Sequence, residues 1–133
     1  MTILKAAQER ESLRVVGDQH GAPTWSRDLA RLAVALLKRS EGGGLEEDAE
    51  GIYHAAGGGE TTWYGFAAEA LRLTRAKHPE LKLASVEEIS TAEYPTPAKR
   101  PANSRLNCDK LADKLGWTMM DWKVALAEVI EAL

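Results

Sequence analysis

The chain of 133 residues carries 17 basic and 20 acidic side chains, a net charge of −3, with 44% hydrophobic and 28% charged residues. These totals suit one soluble domain over residues 1–133 with its own core, and argue against a nucleic-acid partner, which would need a strongly local basic face. One cysteine, Cys108, excludes an internal disulfide and fits a reducing cytoplasm, while no apolar run nears the length of a membrane span and no signal-peptide pattern is read at Met1.

Residues 2–11 read as a short helix, with Ile3, Leu4, Ala6 and Ala7 available to one face. Helical pattern opens almost at Met1, as though the chain continued something longer. Leu13-Arg14-Val15-Val16 reads as a strand ended by the turn chemistry of Gly17 and Asp18. A polar loop over 18–24 leads to a helix over 27–38, capped by Thr24 or Ser26, with Leu29, Ala33, Leu36 and Leu37 at core-facing spacing. Residues 41–50 combine Gly42-Gly43-Gly44 with acidic side chains and read as a linker. A phosphate-binding P-loop would need a following Gly-Lys-Ser/Thr, which is missing.

Residues 51–56 read as a short apolar strand followed by the turn Gly57-Gly58-Gly59. A dinucleotide fingerprint would require glycine at Thr62, so that pattern fails. Thr61 or Thr62 caps a helix through Ala76, with Phe66, Ala67, Ala70, Leu71 and Thr74 on one side and Trp63 and Tyr64 expected in the core. His78-Pro79 stops that helix, and residues 81–89 include a strand with Val86 and Ile89 inward. Asn107 caps a helix through Leu115 that Gly116 ends. Asp121 caps a last helix burying Trp122, Ala125, Leu126, Val129 and Ile130. The sum is a mixed α/β fold: four or five helices with three or four short strands, too few for a complete Rossmann sheet.

Residues 94–106 hold three of the five prolines and three basic side chains. Proline fixes φ and pushes the residue before it toward extended geometry, so the segment is expected as a stiff strand or loop. Such a backbone presents Lys99, Arg100 and Arg105 to a phosphate or carboxylate at little ordering cost. The plainer alternative is a proline-rich connection whose charges are only solvated.

Catalytic chemistry is not legible. No Gly-x-Ser-x-Gly elbow occurs. Cys108, opening a helix, reads as structural, and His20 and His54 have no identifiable partner in sequence. The three histidines show no metal-ligand spacing to Cys108, so neither catalytic, cofactor-binding nor metal residues are assigned.

The runs from Leu13 to Thr24, Asp28-Leu29-Ala30, Gly51-Ile52-Tyr53-His54, Gly59-Glu60-Thr61-Thr62-Trp63-Tyr64 and Thr91 to Asn107, in that order, resemble the dTDP-4-dehydrorhamnose reductases, extended short-chain dehydrogenases/reductases. Lys110-Leu111 and Asp121-Trp122 complete the resemblance. It implies the C-terminal, substrate-side lobe of an enzyme that reduces dTDP-4-dehydro-L-rhamnose to dTDP-L-rhamnose with NADPH or NADH. The family's cofactor loop and Tyr-x-x-x-Lys are missing: Gly57, Ala68 and Ala98 stand four after Tyr53, Tyr64 and Tyr94. The chain alone is therefore expected to bind no cofactor and not to catalyse.

By the same resemblance, Arg100 contacts the substrate diphosphate and Asn103 the nucleoside. A second phosphate-binding arginine of related epimerases aligns near Gly21 and is absent, so Arg105 either substitutes for it or supports the loop. Gln19, Pro23 and Thr24 line the same cleft by analogy. Expected partners are a dTDP-sugar and either the missing Rossmann half or a second copy; nucleic acid and membrane are not expected. The alternative function is an autonomous, non-catalytic nucleotide-sugar-binding or regulatory module.

Overall fold

The computed structural model describes residues 2–43 and 49–133. Among them, helices α1 (Thr2–Glu9), α2 (Ser26–Glu41), α3 (Trp63–Lys77), α4 (Asp109–Leu115) and α5 (Trp122–Glu131) are interspersed with short strands β1 (Ser12–Val16), β2 (His20–Gly21), β3 (Thr61–Thr62) and β4 (Ser85–Ile89). The expected mixed α/β class is the one observed. β1 and β4 pair in parallel, from Ser12 opposite Ser85 to Val16 opposite Ile89. Gly17 extends the ladder by donating its N–H to Ile89 O at 2.9 Å. β2 and β3 pair antiparallel, His20 opposite Thr62. No helix among the described residues is long and apolar enough to cross a membrane.

Local chemistry explains the element ends. The Thr62 hydroxyl accepts the Gly65 N–H at 3.1 Å and starts α3. α3 stops at His78, before Pro79. Gly116 closes α4 with φ 61°, a left-handed conformation that glycine adopts without a Cβ penalty. Asp121 caps α5, accepting from Lys123 N at 2.8 Å. α1 and α3 cover the β1–β4 pair through Ala7, Leu13, Leu71 and Ala84. α3 also packs on α5 through Ala70, Trp122, Leu126 and Ile130, with the Phe66 and Trp122 rings 6.1 Å apart. A separate cluster of Leu32, Leu111, Leu115 and Met119 ties α2 to α4 and the segment after it. Each fully buried leucine contributes about 2 kcal/mol from apolar transfer.

Four local expectations need correction. Residues 51–56 form no strand; just beyond them, Gly58 bridges to Asp121. α2 turns Asp28 and Leu32 inward, while Leu29, Val34 and Leu37 are exposed, Leu37 at 64%. The apolar pattern misplaced that face because a buried carboxylate, not a leucine, holds its first turn. Neither Thr24 nor Ser26 caps α2: the N-cap position is Trp25, without a side-chain bond, and Thr24 is engaged elsewhere. Trp63 is 61% exposed and not part of the core. Half of the expected linker, residues 44–48, lies outside the described residues, and Glu41 is the last residue of α2.

Candidate functional site

Three extended segments meet at one corner of the fold. β2 carries β3 on one edge and the end of the proline-rich segment on the other. His20 N donates to Ala102 O at 2.8 Å, Ser104 N donates to His20 O at 2.9 Å, and the Ser104 hydroxyl donates to the same carbonyl at 3.1 Å. The 18–24 loop and the 102–105 segment, remote in sequence, are thereby laid side by side. Prolines at 95, 97 and 101 keep the approach to this junction non-helical, as expected.

Beside the junction lies a cleft of about 390 Å³, floored by Gly57, Gly58 and Gly59 and walled by Arg105, Cys108 and Trp117. The floor is fastened from both sides. Gly57 N donates to the Thr24 hydroxyl at 3.0 Å, and that hydroxyl donates to Ala22 O at 3.1 Å. Gly58 N donates to Met120 O at 2.9 Å, and Trp122 N donates to Gly58 O at 3.0 Å. Met120 N in turn donates to the Asp28 carboxylate at 2.8 Å. A Cβ at Gly57 would lie 2.1 Å from the Pro23 carbonyl oxygen, so only glycine allows this approach.

The polar groups are arranged around Arg105. Its Nε and backbone N both donate to Asn103 Oδ1, at 3.0 and 3.1 Å, and its Nη1 pairs with the Glu60 carboxylate. Arg105 is thus held at the cleft wall by its neighbours. Arg100 has no hydrogen bond or ion pair among the described residues, and its side chain is exposed. Gln19 turns to Thr91, donating from Nε2 to Oγ1 at 3.0 Å. Asp18 accepts from Thr91 N with both carboxylate oxygens, at 3.0 and 2.9 Å, and also from the Thr91 hydroxyl. These bonds, the hydroxyl's first, hold the Asp18 carboxyl below its ordinary pKa. Glu93 is lowered likewise, first by the Ser90 backbone N–H and then by the Ser90 hydroxyl.

Of the six residues proposed from sequence, Arg105 lines the cleft, Asn103 clamps Arg105, and Pro23 and Thr24 back the glycine floor. Gln19 and Arg100 do not line it. Sequence reading missed Glu60, Asp28 and Trp117, whose indole N–H is buried without a partner among the described residues. Asp28 alone left a signal, an acid in a helix's first turn. Cys108 is half-buried, its thiol 3.8 Å from Leu106 O, and no group of three or more His, Cys, Asp or Glu among the described residues could hold a metal ion.

A family model described as the RmlD substrate binding domain matches residues 1–133. The dTDP-4-dehydrorhamnose reductase of Burkholderia thailandensis is 37% identical over 99% of this chain and 45% of its own length. The solved dTDP-4-dehydrorhamnose reductase of Clostridium acetobutylicum superposes with a TM-score of 0.81 at 32% identity, over 98% of this chain and 42% of its own. That of Bacillus anthracis, solved in complex with NADP, gives 0.77 at 26%, over 99% and 42%. The chain therefore spans less than half the length of the proteins it matches. Because the family match runs unbroken through β1, the 18–24 loop, the glycine floor and the proline-rich segment, the chain belongs to the RmlD substrate-binding domain family.

Proposed function

We propose that this chain is the substrate-binding portion of a dTDP-4-dehydrorhamnose reductase and acts as one domain. The parent enzyme reduces the 4-keto group of dTDP-4-dehydro-L-rhamnose, giving dTDP-L-rhamnose. The observation that carries the reading is the junction of the 18–24 loop with residues 102–105 beside a glycine-floored cleft, in a chain matched throughout by a substrate-binding family. Arg100 supplies the charge for the diphosphate: it is exposed and has no hydrogen bond or ion pair among the described residues, so no partner among them must be displaced. Asn103 and Arg105 form the wall on the nucleoside side, and Gln19, Pro23 and Thr24 fix the neighbouring loop and floor.

NADPH or NADH belongs, in this reading, to the remainder of the parent. The chain's own glycine run does not fit a dinucleotide: the Gly57 and Gly58 N–H groups that would cradle an anion are already bonded to the Thr24 hydroxyl and Met120 O. The exposed Leu29, Val34 and Leu37 of α2, with Ile52 at 84% exposure, form the face toward that remainder. The supporting fact is that more than half of each matched protein has no counterpart here. A cytoplasmic location accords with the lone cysteine.

The test is a titration with dTDP-L-rhamnose followed by amide chemical shifts, run beside Arg100→Ala. Saturable shifts over 19–24 and 100–105, weakened about 10- to 100-fold in the variant, are expected for loss of one charge-assisted contact. Absence of shifts at millimolar ligand would overturn the assignment of a binding half-site to this chain.

A further inference from the structure

The segment that bears Arg100 is anchored at both ends to consecutive residues. At its start, Thr91 is bonded by Asp18 and Gln19. At its end, Ala102 O and Ser104 N bond the backbone of His20. Three neighbours, 18, 19 and 20, therefore hold both feet of a loop that leaves at 92 and returns at 101. Every residue from 92 to 107 is exposed except these anchored backbones' own contacts, so apolar burial does not position the loop. Inside it, the Thr96 hydroxyl donates to Ala98 O at 2.8 Å, and three prolines stiffen the path. Glu93 adds a brace at the first foot, closing on the Ser90 N–H at 2.8 Å and pairing with Arg14 of β1 at 3.4 Å.

We propose that Asp18 is a positioning residue for nucleotide recognition: its carboxylate grips Thr91 and thereby holds the 92–101 loop so that Arg100 is presented in one place. The inference rests on the functional reading above for its ligand, but not for its mechanics. Asp18 stays ionised at neutral pH, its pKa held down by the Thr91 bonds, so the grip is charge-assisted. Without it the first foot keeps only the Gln19 bond to Thr91 and the Glu93 brace, beside the intact His20 foot. A loop held less firmly at one end samples more orientations, and Arg100 must be ordered again on binding.

The experiment compares wild type, Asp18→Ala, Arg100→Ala and the double variant. Backbone ¹⁵N relaxation reads loop order at Thr96, Ala98, Lys99 and Arg100, and amide exchange reads Thr91. A titration with dTDP reads affinity. Expected are a marked fall in order across 96–100 in Asp18→Ala, Thr91 exchange faster by about tenfold or more, and dTDP affinity lower by about tenfold. In the Arg100→Ala background, Asp18→Ala should cost little further affinity, because the two act through one contact. Unchanged loop order, or an equal loss of affinity in both backgrounds, would overturn the proposal, since the latter marks a general structural defect. If dTDP fails to bind wild type, the functional reading falls, and relaxation still decides the grip: lost order upholds it and unchanged order overturns it.

Discussion

Asp28 joins α2 to the floor of the cleft, and its removal should be felt at both. The residue is 6% exposed and its Oδ2 accepts the Met120 N–H at 2.8 Å. Asp28→Ala leaves that N–H without an acceptor in a half-buried place. A hydrogen bond to a charged group contributes about 1.5–3 kcal/mol. A carboxylate in the first turn of a helix adds about 0.3–1 kcal/mol against the macrodipole. Relief of the carboxylate's own desolvation offsets part of the sum, so a net loss of about 2–3 kcal/mol is expected. Asp28→Asn keeps an acceptor oxygen and should lose about half as much. Urea unfolding followed by tryptophan fluorescence measures this. With a slope of about 1–3 kcal/mol per molar, the midpoint for the alanine variant falls by roughly 0.7–3 M. Exchange should quicken at Met120 and then at Gly58, whose N–H is bonded to Met120 O. A loss below about 0.5 kcal/mol, or identical losses for Ala and Asn, would refute the reasoning.

Gly57→Ala drives a Cβ into the Pro23 carbonyl and should displace the cleft floor, costing about 1–3 kcal/mol and the dTDP-sugar shifts over 19–24 together. Leu71→Ala empties the fully buried centre of the α1–α3–β1 cluster and should cost about 2–5 kcal/mol in denaturant unfolding. Asp18 and Glu93 both have depressed pKa values, so their stabilisation is complete above the ordinary carboxylate range, near pH 4, and is lost as pH falls through their lowered values. Asp18→Asn should flatten that acid limb, and an unaltered pH–stability curve would contradict the assignment. For the isolated chain, sedimentation should show concentration-dependent association that Leu37→Lys weakens; a monomer at high concentration would remove α2's exposed side as a contact face.

α3, α5 and the end of α4 were legible because period and caps agree, whereas the face and cap of α2 were not. Thr62, Gly116 and Asp121 each do what their residue type does best at a helix end, with little help from the rest of the fold. The pairing of β1 with β4 was not legible. Parallel strands need a long crossover, and nothing local in five residues names a partner. The 51–56 stretch failed as a strand for the complementary reason: apolar composition supplies a surface for pairing but no neighbour. At the candidate site, the proline-rich segment announced its backbone. Which of its cations was already occupied could not be read, because the partners of Arg105 lie both next to it, at Asn103, and far away in sequence, at Glu60.

The ties that build the cleft and the loop beside it also set when they can exist. Asp18 and Thr91 are 73 residues apart, Ser104 and His20 84, and Met120 and Asp28 92. Closing such loops spends chain entropy before any contact returns it, and folding rates fall as contacts become less local. During synthesis, α2 and α3 can form early, but the glycine floor has no lid on its Met120 side until residues 117–122 emerge. Helices can therefore form before the cleft closes, because the last of these ties waits for Met120.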